Sequence, residues 1–143
     1  MVNVHRTITV RTPGQTVVDY LQDFAHAEEW DPGTVSCTRA DTGPVVVGSR
    51  WHNVSEFRGK KTELTYRLER LEPGRIVFVG SNKTATSTDD LTVTEEDGTT
   101  SISYHATITF HGLAKLADPF LKREFEKMGD ALVPTMRKAL EAL

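Results

Sequence analysis

The sequence contains few of the features that mark specialised classes of protein. Its single cysteine, Cys37, excludes an internal disulfide and argues against a zinc–cysteine site. No run of Lys or Arg exceeds two residues and the formal net charge is −3, so there is no basic field to hold nucleic acid. No apolar stretch approaches the roughly 20 residues of a membrane span, and the first residues lack the apolar core of a signal peptide. We therefore expect a cytoplasmic protein with no membrane span and no nucleic-acid partner.

Motifs for metal binding and nucleophilic catalysis are also absent. The five histidines form no HxH, HxxxH or HExxH spacing. There is no GxSxG motif and no glycine-rich phosphate loop, and Cys37 is interpreted as a small buried residue of a strand. Acidic runs such as Asp89-Asp90 are interpreted as solvated strand ends or turns. We expect neither a metal site nor a cofactor.

Period-2 alternation of apolar and polar residues accounts for most of the chain. It predicts a half-buried strand at residues 3–11 and about six further strands over residues 34–110. Asp97-Gly98 is the strongest hairpin signal, and Asp89-Asp90 is expected to place a bulge in the strand before it. Because the turns are short, we expect an antiparallel meander with one apolar face. A chain of 143 residues can bury a sizeable core, and residues 1–143 are expected to form a single domain.

Two short helices are predicted between the first strand and the meander. Thr12 is expected to cap the first, with Pro13 at the first helical position and Gln15 completing a capping box. Asp23 is expected to cap the second, which Pro32-Gly33 ends.

A long amphipathic helix is predicted for residues 113–143, where apolar residues recur at gaps of three or four. Asp118-Pro119 supplies its start signal, an N-cap acceptor followed by proline. Pro134 removes a backbone donor, so we expect a kink or break between residues 129 and 134. A helix this long and one-sided is expected to lie across the apolar face of the sheet.

The element order and the residues at its joints point to a known family. These residues are Thr12-Pro13, Phe24 followed by Trp30-Asp31-Pro32-Gly33, Gly48-Ser49-Arg50-Trp51, Glu72-Pro73-Gly74-Arg75, and Gly112-Leu113 with Pro119. Together they resemble the START-like (SRPBCC) superfamily, in its bacterial polyketide cyclase/dehydrase and lipid-transport branch. The resemblance implies an α+β helix-grip fold: a curved antiparallel sheet of about seven strands wrapped around the C-terminal helix, with two short helices after strand 1. It also implies a deep cavity that holds a lipid, polyketide or other apolar molecule.

Polar side chains on the faces predicted to be apolar are the candidates for a binding site. Burying such groups without partners costs roughly 1–3 kcal/mol each, so we expect them to meet one another, water or a ligand. Alternatively, Arg6 reaches solvent from a strand end, and Tyr66 and Tyr104 pack within the sheet with satisfied hydroxyl groups. With apolar residues of the strands and the long helix, the predicted ligand-binding set is Arg6, Trp51, Asn53, Ser55, Tyr66, Phe78, Tyr104, Phe125, Met128 and Leu132.

Three functions are compatible with these features. The favoured one is a carrier or sensor of a small hydrophobic molecule, acting as a monomer or homodimer. The alternative is a cyclase, aromatase or dehydratase, in which Arg6 and Tyr104 stabilise an oxyanion and an inward-facing His52 or His105 acts as base. A slip of one residue would replace Tyr104 by His105 on the inner face. The third is a protein-interaction module, which requires an apolar patch on the outer face of the sheet.

Overall fold

The computed structural model describes the backbone of residues 1–143 and every side chain except those of Ala117 and Asp118. The strands are β1 (Val2–Val10), β2 (Thr34–Arg39), β3 (Arg50–Phe57), β4 (Lys60–Glu72), β5 (Arg75–Ser81), β6 (Ala85–Glu96) and β7 (Thr99–Phe110). The helices are α1 (Gly14–Leu21), α2 (Ala27–Trp30) and α3 (Asp118–Glu141), with 3₁₀ segments at Phe24–His26 and Gly112–Ala117.

All seven strands form one antiparallel sheet in the order β1-β7-β6-β5-β4-β3-β2. The meander from β2 to β7 follows the chain order, and β1 closes it by pairing with β7 along its whole length. Helix α3 packs against β1 and α2, over the apolar face of the sheet. The predicted helix-grip architecture is therefore confirmed.

The predicted hairpin is confirmed, but the predicted bulge is wrong. Asp97 and Gly98 join β6 to β7 with φ values of 52° and 77°, the positive angles that a type I′ turn requires. The register of β6 runs without a shift through Asp89 and Asp90 on both of its sides. The register of β4 shifts instead between Leu68 and Arg70.

The capping box predicted for α1 is also wrong. Pro13 occupies the N-cap position and makes no side-chain capping bond, the Gly14 amide donates to Glu95 of β6, and Gln15 bonds Asp19. The Thr12 hydroxyl donates to the carbonyl oxygen of Leu140 at 2.7 Å, while its own carbonyl accepts from Thr100 at 2.6 Å. Thr12 therefore ties the end of β1 to β7 and to the end of α3.

The signals predicted for the second short helix and for α3 are confirmed only in part. Asp23 caps the 3₁₀ turn by accepting from the amide of Ala25 at 3.0 Å, as predicted. Helix α3 continues through Pro134, so the predicted break is wrong and the kink stays a prediction. Capping of α3 by the Asp118 side chain lies outside the described residues. No helix in the described part of the chain is long and apolar enough to cross a membrane.

Helix α3 approaches β1 closely because residue 129 is a glycine. A Cβ added to Gly129 would lie 2.5 Å from Cγ1 of Val4, well inside van der Waals contact. On the other side of the core, five aromatic side chains fill the space between the short helices and the sheet: Phe24, Trp30, Trp51, Tyr66 and Phe78. The core is therefore solid near the short helices.

Candidate functional site: a cavity beneath the C-terminal helix

A cavity of about 220 Å³ lies between the concave face of the sheet and the first half of α3. Its volume is somewhat below the roughly 300 Å³ at which drug-sized pockets begin, yet far above that of a single water. Strands β3, β4, β6 and β7 supply most of the wall, and Leu121, Phe125, Met128 and Leu132 of α3 cover it. The cavity therefore suits a small guest.

Three phenylalanines form the outer, less buried end of the cavity. Phe57 ends β3, Phe110 ends β7 and Phe125 lies in α3, and each is half-buried. The rings of Phe57 and Phe125 stack with centroids 4.6 Å apart, and Phe110 lies 6.2 Å from Phe125. Because all three side chains are apolar and partly exposed, they give the cavity an aromatic, apolar entrance.

The inner end is polar and dominated by a buried carboxyl group. Asp89 of β6 is 3% exposed and accepts a hydrogen bond from the hydroxyl of Tyr104 at 2.9 Å. Burial, together with repulsion from nearby Asp31, raises the pKa of Asp89 to about 7. The same burial raises the pKa of Tyr104 well above its usual value, so its hydroxyl keeps its proton.

Two further groups complete this polar end. Asp31 follows α2, and its two carboxylate oxygens accept from the Gly33 amide at 3.0 Å and the Thr34 hydroxyl at 2.9 Å. Burial nevertheless raises the pKa of Asp31. Tyr66 of β4 lies directly over Gly80 of β5, where a Cβ would come within 2.6 Å of the ring. The missing side chain at Gly80 therefore sets the position of Tyr66.

This arrangement can transfer protons as well as bind. A carboxyl group with a pKa of about 7 is populated in both protonation states near neutral pH, which suits a general acid or base. Tyr104, held against Asp89, donates its hydroxyl proton to that carboxyl group. No group of three or more His, Cys, Asp or Glu among the described side chains could hold a metal ion.

Six of the ten predicted ligand-binding residues line the cavity. Both tyrosines face inward, with Tyr104 on the inner face of β7 and His105 on the outer face, so the one-residue slip is excluded. Whether these residues contact a ligand stays a prediction. The six are Ser55, Tyr66, Tyr104, Phe125, Met128 and Leu132.

The other four predicted residues lie away from the cavity wall. Trp51 and Phe78 are fully buried in the aromatic core, and the Trp51 indole donates to Asp23 at 3.0 Å. Asn53 is buried beneath Ser55, from which it accepts a hydrogen bond at 2.6 Å. These three residues are buried in the core next to the residues that line the cavity, and they do not line it themselves.

Arg6 has a role that neither sequence interpretation included. Its guanidinium lies 2.8 Å from Glu126 and 2.9 Å from Asp130 of α3, and it also donates to the carbonyls of His5 and Glu126. Arg6 is thus saturated by partners on the flank of α3, where it fastens the helix to β1.

The histidines proposed as bases point away from the cavity. His52 pairs with Glu63 at 3.0 Å and His105 with Asn3 at 3.0 Å, all on the outer face of the sheet. Strand parity explains this placement, because the inward neighbours are Trp51 and Tyr104. The hypothesis of a histidine base is therefore wrong.

Asp31 and Asp89 were missed as site residues. For Asp89 a signal existed: it shares strand parity with Leu91 and Val93, both buried, whereas Asp90 lies on the opposite face and pairs with Arg75 at 2.9 Å. Continuing the alternation back through β6 would have placed Asp89 inside. Asp31 lies in a turn, where no periodicity applies.

Comparisons with known proteins agree with this architecture. Among solved structures, a protein from Thermus thermophilus is 13% identical, with a TM-score of 0.80, covering 98% of this chain and 97% of its own. The Zhui aromatase/cyclase from a Streptomyces species is 16% identical, with a TM-score of 0.79 and coverage of 97% and 93%. A START superfamily protein from Mycobacterium smegmatis is 14% identical, with a TM-score of 0.73 and coverage of 98% and 94%. No protein with a curated description matches the chain.

At these identities the structural similarity shows the fold alone. The family itself is shown by a sequence comparison: the family model described as polyketide cyclase/dehydrase and lipid transport matches residues 1–143. The chain belongs to the polyketide cyclase/dehydrase and lipid transport family.

Proposed function

We propose that the protein binds a small, mostly apolar molecule in the cavity beneath α3, as a carrier or sensor. The observation that carries this proposal is a space of about 220 Å³ with mostly apolar walls and a buried polar cluster at its inner end. Apolar burial provides the affinity, and the polar cluster fixes the orientation of the guest. Cytoplasmic location and a monomeric or homodimeric state stay predictions.

Filling the cavity tests this proposal. Ala106 lines the cavity at the centre of β7, beside Val4 of β1 and Asp89 of β6. In Ala106→Leu the larger side chain occupies the space, so we expect the affinity for 2-naphthylmethanol, a neutral probe, to fall by more than about tenfold. Isothermal titration calorimetry of both proteins measures this loss.

The neighbouring residue on the outer face supplies the control. Thr107→Leu adds the same side chain one position along β7, pointing away from the cavity, and probe affinity should stay unchanged. Thermal melts verify that both variants fold. Equal binding by wild type and Ala106→Leu would contradict the proposal. So would failure of the wild type to bind the probe, if native mass spectrometry also finds no bound small molecule.

One observation favours a second function, an enzyme of the cyclase, aromatase or dehydratase type. The Asp89 carboxyl, with a pKa raised to about 7 by burial and by Asp31, faces the cavity beside Tyr104. In an aldol-type cyclisation Asp89 would take a proton from carbon, and the protonated acid would pass it to the alkoxide formed on ring closure. In the dehydration Asp89 would take a second proton from the same carbon and return it to the hydroxyl, which leaves as water. The test is turnover of a poly-β-ketone thioester: a rate that rises through pH 7 and is lost in Asp89→Asn supports this function, and an unaltered rate in the variant excludes it.

The interaction-module hypothesis has less support. The described large apolar side chains that are exposed include Leu113, Leu116 and Phe120, next to the start of α3. The outer face of the central strands is instead polar, with Thr65, Arg67 and similar residues. The patch that this hypothesis requires is therefore not where it was expected.

A further inference from the structure

The carboxyl groups around the cavity have no cationic counterpart. Asp31 and Asp89 lie at the inner end and Glu56 at the rim, while none of the described lining residues is Lys, Arg or His. Buried acids are normally matched by a basic partner or a metal, because an uncompensated charge in a low-dielectric site is costly. Here the two inner acids are balanced only by neutral hydrogen-bond donors.

The nearest cations are held elsewhere. Arg6 is engaged by Glu126 and Asp130 on the flank of α3. Arg75 pairs with Asp90 on the outer face of the sheet. Arg75 lies across the sheet from the cavity, and Arg6 can turn towards it only by giving up its ion pairs with α3.

The described side chains that face Asp89 from the surrounding elements likewise include no cation. β7 presents Tyr104, β4 presents Tyr66 and the turn after α2 presents Asp31. Helix α3 presents only uncharged residues towards the cavity among those described: Leu121, Phe125, Met128, Gly129 and Leu132. The hydroxyl of Tyr104 already donates its proton to Asp89, so it is not available to a guest that can only accept. The carboxylate oxygens of Asp89 and Asp31, by contrast, lie at the inner end and can accept hydrogen bonds from a guest.

We propose that the natural ligand carries a hydrogen-bond donor, a hydroxyl or a protonated amine, at the end that meets Asp89 and Asp31, and that the cavity rejects carboxylates. This inference rests on the proposed binding function and narrows the ligand class. A carboxylate at the inner end would meet two acids and only neutral hydroxyl groups, such as those of Tyr66 and Ser87, and like charges placed together inside a protein repel strongly. Free fatty acids and other carboxylic acids are therefore excluded as ligands in that orientation, whereas alcohols, phenols and amines fit.

Three probes that share one aromatic skeleton test the inference: 2-naphthylmethanol, 2-naphthylmethylamine and 2-naphthoic acid. At pH 8 we expect the alcohol and the amine to bind wild-type protein at least about tenfold more tightly than the acid, by calorimetry. Because burial and Asp31 raise the pKa of Asp89 to about 7, this preference narrows at pH 6, where Asp89 is largely protonated. The amine and the acid probes keep their own charges across this range.

Two variants separate the cavity from the surface. Asp89→Asn removes one of the two inner carboxyl groups, so the preference for the amine over the acid shrinks and depends less on pH between 6 and 8. Asp90→Asn, the next residue on the outer face, leaves the preference intact. If Asp89→Asn does not fold, the comparison of wild type at the two pH values still decides the matter.

The outcomes distinguish the two proposals. Binding of the alcohol together with equal or tighter binding of the acid overturns this inference and leaves the proposed binding function standing. Failure of all three probes to bind, together with no small molecule found by native mass spectrometry, overturns both. Tight binding of the alcohol and amine with weak binding of the acid supports both.

Discussion

Asp89→Asn should stabilise the protein relative to wild type, by an amount that grows as the pH rises from about 4 to 7. Folding raises the pKa of this carboxyl from an ordinary 3.8 to about 7, because burial and Asp31 oppose its charge. In this range the folded state holds a proton that the unfolded state has released, so wild-type stability falls with increasing pH. Each pKa unit is worth about 1.4 kcal/mol, so a rise of about three units makes the full loss roughly 4 kcal/mol. Asparagine carries no such penalty.

Urea denaturation at half-unit steps from pH 3.5 to 8.5 measures the effect. The free-energy difference between variant and wild type should be flat below pH 4, widen in favour of the variant, and level off above pH 7.5. Asp90→Asn removes a carboxylate from the outer face, where Arg75 pairs with it, and its difference from wild type should not widen. A difference between Asp89→Asn and wild type that is constant across the range would show that Asp89 is already ionised in the folded state at acidic pH.

Phe24→Ala should destabilise the protein by about 3–5 kcal/mol, the usual cost of truncating a buried phenylalanine. Phe24 is 1% exposed, and its ring lies 4.4 Å from the rings of both Tyr66 and Phe78. It also makes edge contacts with Trp30 and Trp51, at 6.0 and 6.3 Å. Removing it leaves four aromatic rings facing a void, and the short helices lose their anchor to the sheet. Guanidinium denaturation measures the loss.

Phe120 provides the matched control for this prediction. Its side chain is 78% exposed near the start of α3, so Phe120→Ala should change stability by no more than about 0.5 kcal/mol. Phe24→Leu keeps most of the buried volume and should fall between the two. A loss below about 1.5 kcal/mol for Phe24→Ala would mean that the short helices can repack, and that the aromatic cluster contributes less than its burial indicates.

The fold was readable from the sequence because the information was periodic. Alternation in β1 and β7 placed Val4, Ile8, Ile102 and Ala106 inside, and the structure buries them. Asp97-Gly98 identified its hairpin from the positive φ angles that the turn needs. Predictions that depended on a single side chain did less well. Thr12 was assigned to the nearest helix, but its partners Leu140 and Thr100 are distant in sequence.

The site was only partly predictable, for a different reason. Chemical type alone suggested that Asp89 faced solvent, since buried acids are rare. Its strand position outweighed that preference, and the resulting cost appears as the raised pKa. Arg6 illustrates the reverse: it shares the inner face of β1, yet Glu126 and Asp130 of α3 draw its charge to the flank of the helix. The partners of Arg6 lie roughly 120 residues away, so no local pattern could reveal them.

The pairing of β1 with β7 has a consequence for biosynthesis. Val2 pairs with Ile108 and Val10 with Thr100, so β1 is translated roughly 100 residues before its only neighbouring strand. At about 5–20 residues per second, that interval lasts roughly 5–20 s. During it the apolar face of β1 has no sheet to join, and the ribosome-bound chain must keep it from pairing with other nascent chains. Closure of the sheet is thus a late event, and the N-terminal strand is the segment that cellular chaperones would have most reason to shield.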